Sequence, residues 1–513
     1  MGALKIISRN ILSNAVGYVV AIAVALALTP FVIDKLGKGQ FGIWSLVVAL
    51  TGYYGILDLG IRSAVGQYVT RYWTKEDMVG VNRTLSTAVL MTLPIAAFLL
   101  LASIGFAYGA PTWFEVAPEE VETTWTAVLV MGCAVSFSFP FAVFGAAPYA
   151  RQRFDISNAV AIGERLLNAG LTVWVLSAGH GLVGFAWVTA GTQTAAWLLR
   201  VWIAYRLLPG LEVSRRHCCR ASFDELCNFG IHNFLINVAD RIVLSTDALV
   251  IGLMMSKVAV THYVLGGNFI AYYVMMINSV AWPLTPYATS RDAAGDTDAL
   301  RRLYVSGSKN IFLFASVVGG GLIFLGHDFI AVWMPDNPEF LSGIEYVSSA
   351  TVMGVLAVAT LVRGMMTCGK QILFGMREVS FLSKLSVLEA VANLGLSIAL
   401  VGPLGLLGVA LGTLIPIVCT QLILQPIFLA RRLQLPLGPF VRQVLWGGCL
   451  VVAAMGVVEY LVEDWIPMTG WAAFLLKGTL VTLPAVALGV VFGTTRQEKQ
   501  LLLKKLGLAR HAS

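Results

Sequence analysis

The chain has 513 residues, of which 58% are apolar and only 12% charged, with a mean hydropathy of +0.79 and a formal net charge of +7. A soluble domain carries about 25% charged residues, so this composition excludes one. Apolar runs of about 20 to 27 residues also exclude a membrane barrel, whose strands alternate over about 10, and leave a helical membrane protein.

The first predicted span, 11–33, follows Lys5 and Arg9. It is too long for a signal-peptide core and lacks a small-residue cleavage site, so an uncleaved helix is expected. Further spans are predicted at 41–66, 84–108, 123–148, 154–178, 182–207, 227–255, 259–287, 305–333, 344–372, 380–401, 404–429, 440–462 and 470–493, about 14 in all. The basic tail 496–513 fits a short interfacial helix or a solvated end.

Lysine and arginine concentrate in every second connection: Arg71, Lys75 and Arg83; Arg151 and Arg153; Arg206, Arg215, Arg216 and Arg220; Arg291, Arg301, Arg302 and Lys309; Lys370 and Arg377; Arg431, Arg432 and Arg442. The intervening connections carry Glu115, Glu119, Glu120 and Glu122, then Asp328, Asp336, Glu339 and Glu345, then Glu459, Glu463 and Asp464; only Lys35, Lys38 and Lys257 break the pattern. Both termini are therefore expected in the cytoplasm. The basic surplus follows from topology and does not point to nucleic acid.

The span at 227–255 is the most informative, because it is long enough to cross a bilayer yet charged at its centre. Asn233, Asp240 and Asp247 recur every seven residues and Asn237 lies one turn before Asp240, so a helix aligns them in a polar stripe with Arg241 beside it. A charge at mid-bilayer costs about 2.5 to 3.5 kcal/mol on insertion scales, so the stripe must face protein or water. It is either a polar cavity wall or a structural Asp240–Arg241 pair with asparagines tying helices together.

An internal repeat organises the rest. A shift of 219 residues places Asn14 on Asn233, Tyr53-Tyr54 on Tyr272-Tyr273 and Tyr68 on Tyr287, and a shift of 225 places Glu164, Asn168 and Thr172 on Glu389, Asn393 and Ser397. The offset is six spans, so the halves share one orientation and a two-fold axis along the membrane normal is expected. The expected division is a six-helix bundle at 1–210, a second at 221–432, two further spans within 438–495, and the tail.

Glu164 and Glu389 each head a polar face at i, i+4 and i+8, which suits proton or cation handling or, equally, a symmetric packing device. Asp58 and Arg62 are placed to pair within the second span. Arg165 and Arg363 have no partner visible in sequence and are candidates for holding an anion in a fork of N–H donors. Trp282-Pro283-Leu-Thr-Pro286 is the strongest candidate hinge. The seven cysteines show no disulfide or zinc spacing, His217-Cys218-Cys219 lacks a second metal-ligand pair, and there is no phosphate-binding P-loop.

Several segments carry a family resemblance: Arg9-Asn10-Ile-Leu-Ser-Asn14 before a first helix ending at Pro30, LGKGQFGIWSL at 36–46, LDLGIRSA at 57–64, and the glycine turns ending at Gly184 and Gly408. Together they resemble the polysaccharide-transporter branch of the multidrug, oligosaccharidyl-lipid and polysaccharide exporter superfamily. The resemblance implies two six-helix bundles around a central cavity lined by spans one, two, seven and eight. It also implies rocking between inward- and outward-open states, and export of a polyprenyl-diphosphate-linked glycan across a bacterial inner membrane. On this reading Arg241, Arg363, Arg165 and Arg62, with Asn233 and Asn237, meet the substrate, while Asp240, Asp247, Glu164, Glu389 and Asp58 tune the cavity or couple it to a proton or sodium gradient. No catalytic residue, metal or bound cofactor is expected, and glycosyltransferases and a glycan polymerase are the candidate partners. A cation-coupled multidrug exporter would use the same bundle; a membrane glycan polymerase would need an outer loop richer in reacting groups than 109–122.

Overall fold

The computed structural model describes residues 3–493 except Leu59, Glu115, Gln152, Phe229, Gly230, Pro283 and Arg377. Every regular element among them is helical, as expected where backbone groups in hydrocarbon must bond within their own segment. Among the described residues, eleven helices are long and apolar enough to cross a bilayer. The predicted basic tail and the Pro283 hinge fall outside the described residues. The chain divides into two compact units, Met1–Thr261 and His262–Ser513.

The first unit contains α1 (Ala3–Tyr53), α2 (Ile61–Thr74), α3 (Met78–Trp113), α4 (Val121–Ala142), α5 (Ala146–Ala150), α6 (Phe154–Ser177), α7 (Gly181–Leu207), α8 (Arg220–Asn228), α9 (Ile231–Met254) and the first turn of α10 (Lys257–Ala281). Helix α1 joins the first predicted span to the start of the second across Gly37, whose φ of 76° and ψ of 162° interrupt the helical path. Only glycine adopts that conformation readily. Helices α3 and α4 pack closely because Gly132 leaves room for Ser103: a Cβ at Gly132 would lie 2.3 Å from the serine oxygen. Small residues of this kind let membrane helices approach without a hydrophobic driving force. Val65, Val69, Leu85, Phe144 and Leu208 form the core joining α2, α3, α5 and α7.

The segment between α7 and α8 is stitched to α3 by side chains one turn apart. Asn82 donates to the Gly210 carbonyl at 3.1 Å and accepts from the Glu212 amide at 3.0 Å, while Ser86 and Thr87 accept from the amides of Ser214 and Cys219. Asn82 is thereby a structural clamp on the connection between the two repeats.

The second unit continues α10 and adds α11 (Leu284–Ala293), α12 (Thr297–Phe324), α13 (Gly326–Trp333), α14 (Glu339–Ser342), α15 (Ser349–Gly375), α16 (Val379–Ile417), a π-helical stretch at Val418–Leu424, α17 (Gln425–Leu433), α18 (Leu437–Val462) and α19 (Trp471–Gly493). Helix α16 joins two predicted spans across Gly405, which has φ 58°, the second-unit counterpart of the first unit's glycine turns. Helices α18 and α19 lie outside the repeat and need their own attachment. Gly448 and Gly456 of α18 receive the rings of Phe312 and Phe324 from α12, and Gly320 of α12 receives Met455.

A buried ion cluster adds to that attachment. Lys477 of α19 is 2% exposed and donates to Asp328 at 2.6 Å and Glu459 at 3.2 Å. Topology alone placed Asp328 and Glu459 among the outer-connection charges; the fold turns both inward onto Lys477, beside a ring cluster of Phe329, Trp333, Trp471 and Phe474. Removing one partner of a buried charge group leaves the others uncompensated, a loss of about 3 to 5 kcal/mol. Lys477→Met is therefore expected to lower the thermal-unfolding midpoint of the purified protein by several degrees, whereas Lys477→Arg retains most of the stability.

Candidate functional site

The second span is not the continuous helix that its hydropathy predicts. After Tyr53 the chain tightens into a 3-10 turn, Tyr54–Asp58, and α2 starts behind Gly60, which has φ 76° and ψ 7°. Three glycines, at 52, 55 and 60, concentrate in nine positions; glycine loses the most conformational entropy in a helix and alone takes the left-handed bend at no steric cost. The break falls near the middle of the span, where an uninterrupted hydropathy window hides it.

Helix α9 lies against this break. The Arg241 guanidinium rests across the glycine notch: Cβ atoms at Gly52 and Gly55 would each lie 3.4 Å from one of its terminal nitrogens. Arg241 is half-buried and donates to the Ser245 hydroxyl at 3.4 Å. One turn on, the Thr246 hydroxyl bonds the Tyr53 phenol, and Asp247, next to Thr246 in the helix, is buried. The fold thus gathers Arg241 and Asp247 with two residues that sequence reasoning missed, Tyr53 and Thr246. Asp240 is half-buried; the side chains of Asn233, Asn237 and Asp58 lie outside the described residues.

On the far side of the break, Arg62 projects from α2 between aromatic rings of α4 and α7, its guanidinium 5.3 Å from the Phe139 centroid and 5.9 Å from that of Trp197. The same unit holds the C-terminal end of α9 and the start of α10 by Thr261 donating to the Lys38 carbonyl at 2.7 Å and by a Lys257–Glu120 ion pair.

The repeated Glu-Asn-Thr/Ser faces keep corresponding partners within their own units. Glu164 pairs with Arg200 at 3.3 Å, and Asn168 donates to Thr192 at 3.0 Å. Asn393 donates to Thr413 at 2.8 Å, and Glu389 accepts from Gln421 at 3.0 Å. A shift of 221 residues places Thr192 on Thr413 and Arg200 on Gln421, so extending the repeat to the next span would have found these partners in the sequence. Arg165, expected to be a candidate anion holder, is exposed and donates to the Gly17 carbonyl at 3.2 Å.

Arg363 does have a partner: it donates to Glu389 at 2.5 Å. The same carboxylate accepts from Thr420 at 2.6 Å. Thr420 and Gln421 lie in the π-helical stretch, whose wider turn brings two successive side chains onto one carboxylate. Such π segments often mark functional sites. Glu389 is 5% exposed, a buried carboxylate that Arg363, Thr420 and Gln421 all reach. Among the described residues no group of three or more His, Cys, Asp or Glu side chains is placed to hold a metal.

A multi-pass helical membrane protein with a broken span beside a half-buried arginine has the architecture of solute carriers whose sites form at discontinuous helices. Residues 36–337 match the family model described as "Polysaccharide biosynthesis protein", and the chain belongs to that family. It is 22% identical to the "Probable flippase AglR" of Haloferax volcanii over 440 residues, 85% of this chain and 87% of that one. Its fold is similar to an inward-facing multidrug resistance MATE family transporter of the MOP superfamily, with a TM-score of 0.65 at 16% identity over 80% of this chain and 94% of that one. It is also similar to the lipid II flippase MurJ in an inward closed conformation, with a TM-score of 0.62 at 12% identity over 92% and 98%.

Proposed function

We propose that this protein is a secondary transporter that flips a polyprenyl-diphosphate-linked oligosaccharide, a precursor of O-antigen, capsule or exopolysaccharide, from the cytoplasmic to the outer leaflet by alternating access. The observation that carries the reading is the mid-span break at Tyr54–Gly60 with the half-buried Arg241 laid against it. A diphosphate and a glycan cannot cross hydrocarbon unaccompanied; they need a cation at depth and backbone or hydroxyl groups that substitute for water. Arg241 and Arg62 supply the cations, and Tyr53, Ser245 and Thr246 the hydroxyls. The family match and the flippase named among the relatives support the same reading.

In this scheme Arg363 is neutralised by Glu389 and positions helices rather than substrate, Glu164 is likewise paired with Arg200, and Asp247 beside the Arg241 site tunes the cavity or couples it to a proton or sodium gradient. The bundles at 1–210 and 221–432 are the moving parts, set in a bacterial inner membrane with both termini in the cytoplasm. The glycan comes from glycosyltransferases and passes to a polymerase.

The fold shared with a multidrug transporter keeps a second reading in view, cation-coupled drug export. Reconstitution decides between them. Proteoliposomes holding a fluorescent polyprenyl-diphosphate-linked sugar are expected to expose it to an external quencher only when the protein is present, with the lipid's mass unchanged. Dye efflux from a pump-deficient host without any lipid flipping would replace this reading with the second. Chemical change of the sugar lipid would make the protein an enzyme.

A further inference from the structure

On the side of the first unit that bears its basic connections, the C-terminal ends of α2 and α7 meet the turn from α5 into α6. They border an open surface pocket of about 520 Å³ lined by Trp73, Thr74, Glu76, Arg151, Arg153 and Leu207, a volume within the range of about 300 to 1,000 Å³ usual for small-molecule sites. The transport site at Arg241 and the α2 break does not use it.

Its two arginines are differently engaged. Arg153 is held by Asp155 through contacts of 3.0 and 3.1 Å. The Arg151 guanidinium lies over the Trp73 ring, 4.9 Å from the centroid, and a guanidinium on an aromatic face can still donate hydrogen bonds through its edge. The carboxylates also divide. Asp77 caps α3 through the Gly80 amide at 2.8 Å. Glu76 occupies a left-handed position, φ 57°, fixed by its amide on the Trp73 carbonyl at 3.0 Å, and is the acidic member of the lining. Trp73 and Leu207 form an apolar wall, and tryptophan is a residue that membrane–water boundaries favour in general.

A cation on an aromatic ring, one carboxylate and an apolar wall in a single pocket match a dipolar amphiphile better than a simple anion, because a bare phosphate would meet Glu76 as a like charge. We propose that this pocket binds the headgroup of a zwitterionic phospholipid of the phosphatidylethanolamine class, its phosphate on Arg151, its ammonium on Glu76 and its upper chains along Trp73 and Leu207. Basic pockets between membrane helices on the cytoplasmic side are established lipid headgroup sites in general; Glu76 is what makes this one select an amine.

The test uses the purified, delipidated full-length protein, titrated with phosphatidylethanolamine and with phosphatidylglycerol and read by native mass spectrometry. The wild type is expected to retain the ethanolamine lipid several-fold more strongly. Arg151→Gln should weaken both lipids by about tenfold, the size of one charge-assisted hydrogen bond. Glu76→Gln, a change on an exposed turn that leaves the unfolding midpoint in place, should erase the preference by weakening only the ethanolamine lipid. Equal retention of the two lipids by the wild type, or a preference that survives Glu76→Gln, overturns the proposal. So does displacement of the lipid by inorganic diphosphate to the same extent in wild type and Glu76→Gln, which would make the pocket a plain phosphate site.

Discussion

Arg241→Ala is expected to reduce flipping of the sugar lipid by roughly 10- to 100-fold at unchanged protein abundance, because one charge-assisted hydrogen bond at depth contributes about 1.5 to 3 kcal/mol and each 1.4 kcal/mol is a factor of ten in rate. The loss should be visible as missing surface glycan in a complementation assay and as a slowed quenching phase in proteoliposomes. Arg241→Lys is expected to recover part of the activity: the charge remains, but a compact ammonium cannot lie flat across Gly52 and Gly55 or grip a diphosphate in a fork. Normal surface glycan in Arg241→Ala with normal expression would remove Arg241 from the substrate path. A fall in abundance alone would assign it to packing, the structural alternative that the polar stripe of α9 carried from the start.

The second large effect concerns stability. Glu389→Ala strands the Arg363 guanidinium among the helices of the second unit, and loss of one partner of a buried pair costs about 3 to 5 kcal/mol. The hydrogen bonds from Thr420 and Gln421 contribute far less, since interhelical bonds in membranes average about 0.6 kcal/mol. Thr420→Val and Gln421→Leu should accordingly be mild, while Glu389→Ala lowers the unfolding midpoint of the detergent-solubilised protein steeply. Combining Arg363→Met with Glu389→Leu is expected to restore most of the loss, because an apolar pair of similar volume has no charge to desolvate. If instead the double variant folds normally and loses transport driven by a proton or sodium gradient, Glu389 is a coupling residue and the packing assignment fails.

The residues that misled sequence reasoning are instructive. Arg363 has no carboxylate within a turn of it in the chain, so it read as a cation waiting for an anion; its partner arrives from α16, twenty-six residues on. Asp328 and Glu459, which topology assigned to outer connections, both turn onto Lys477 of α19. Arg165, next to Glu164 in sequence, points away from it, and the glutamate turns to Arg200 on α7. Neighbours in a helix point about 100° apart, so adjacency in sequence predicts neither pairing nor a shared face.

What could be read without coordinates was whatever the bilayer enforces locally: helical segments long enough to cross it, arginine-rich connections alternating with acidic ones, glycine turns between paired spans, and a repeat that matches Glu164 with Glu389 and Asn168 with Asn393. Those features depend on transfer free energies and backbone satisfaction, which act residue by residue along the chain. The break in the second span, the cradle that Gly52 and Gly55 make for Arg241, and the choice of partner for each buried charge were settled only when helices distant in sequence packed together. A buried ion has no preferred neighbour until the fold removes its water, and the group that then replaces that water can come from anywhere in the chain.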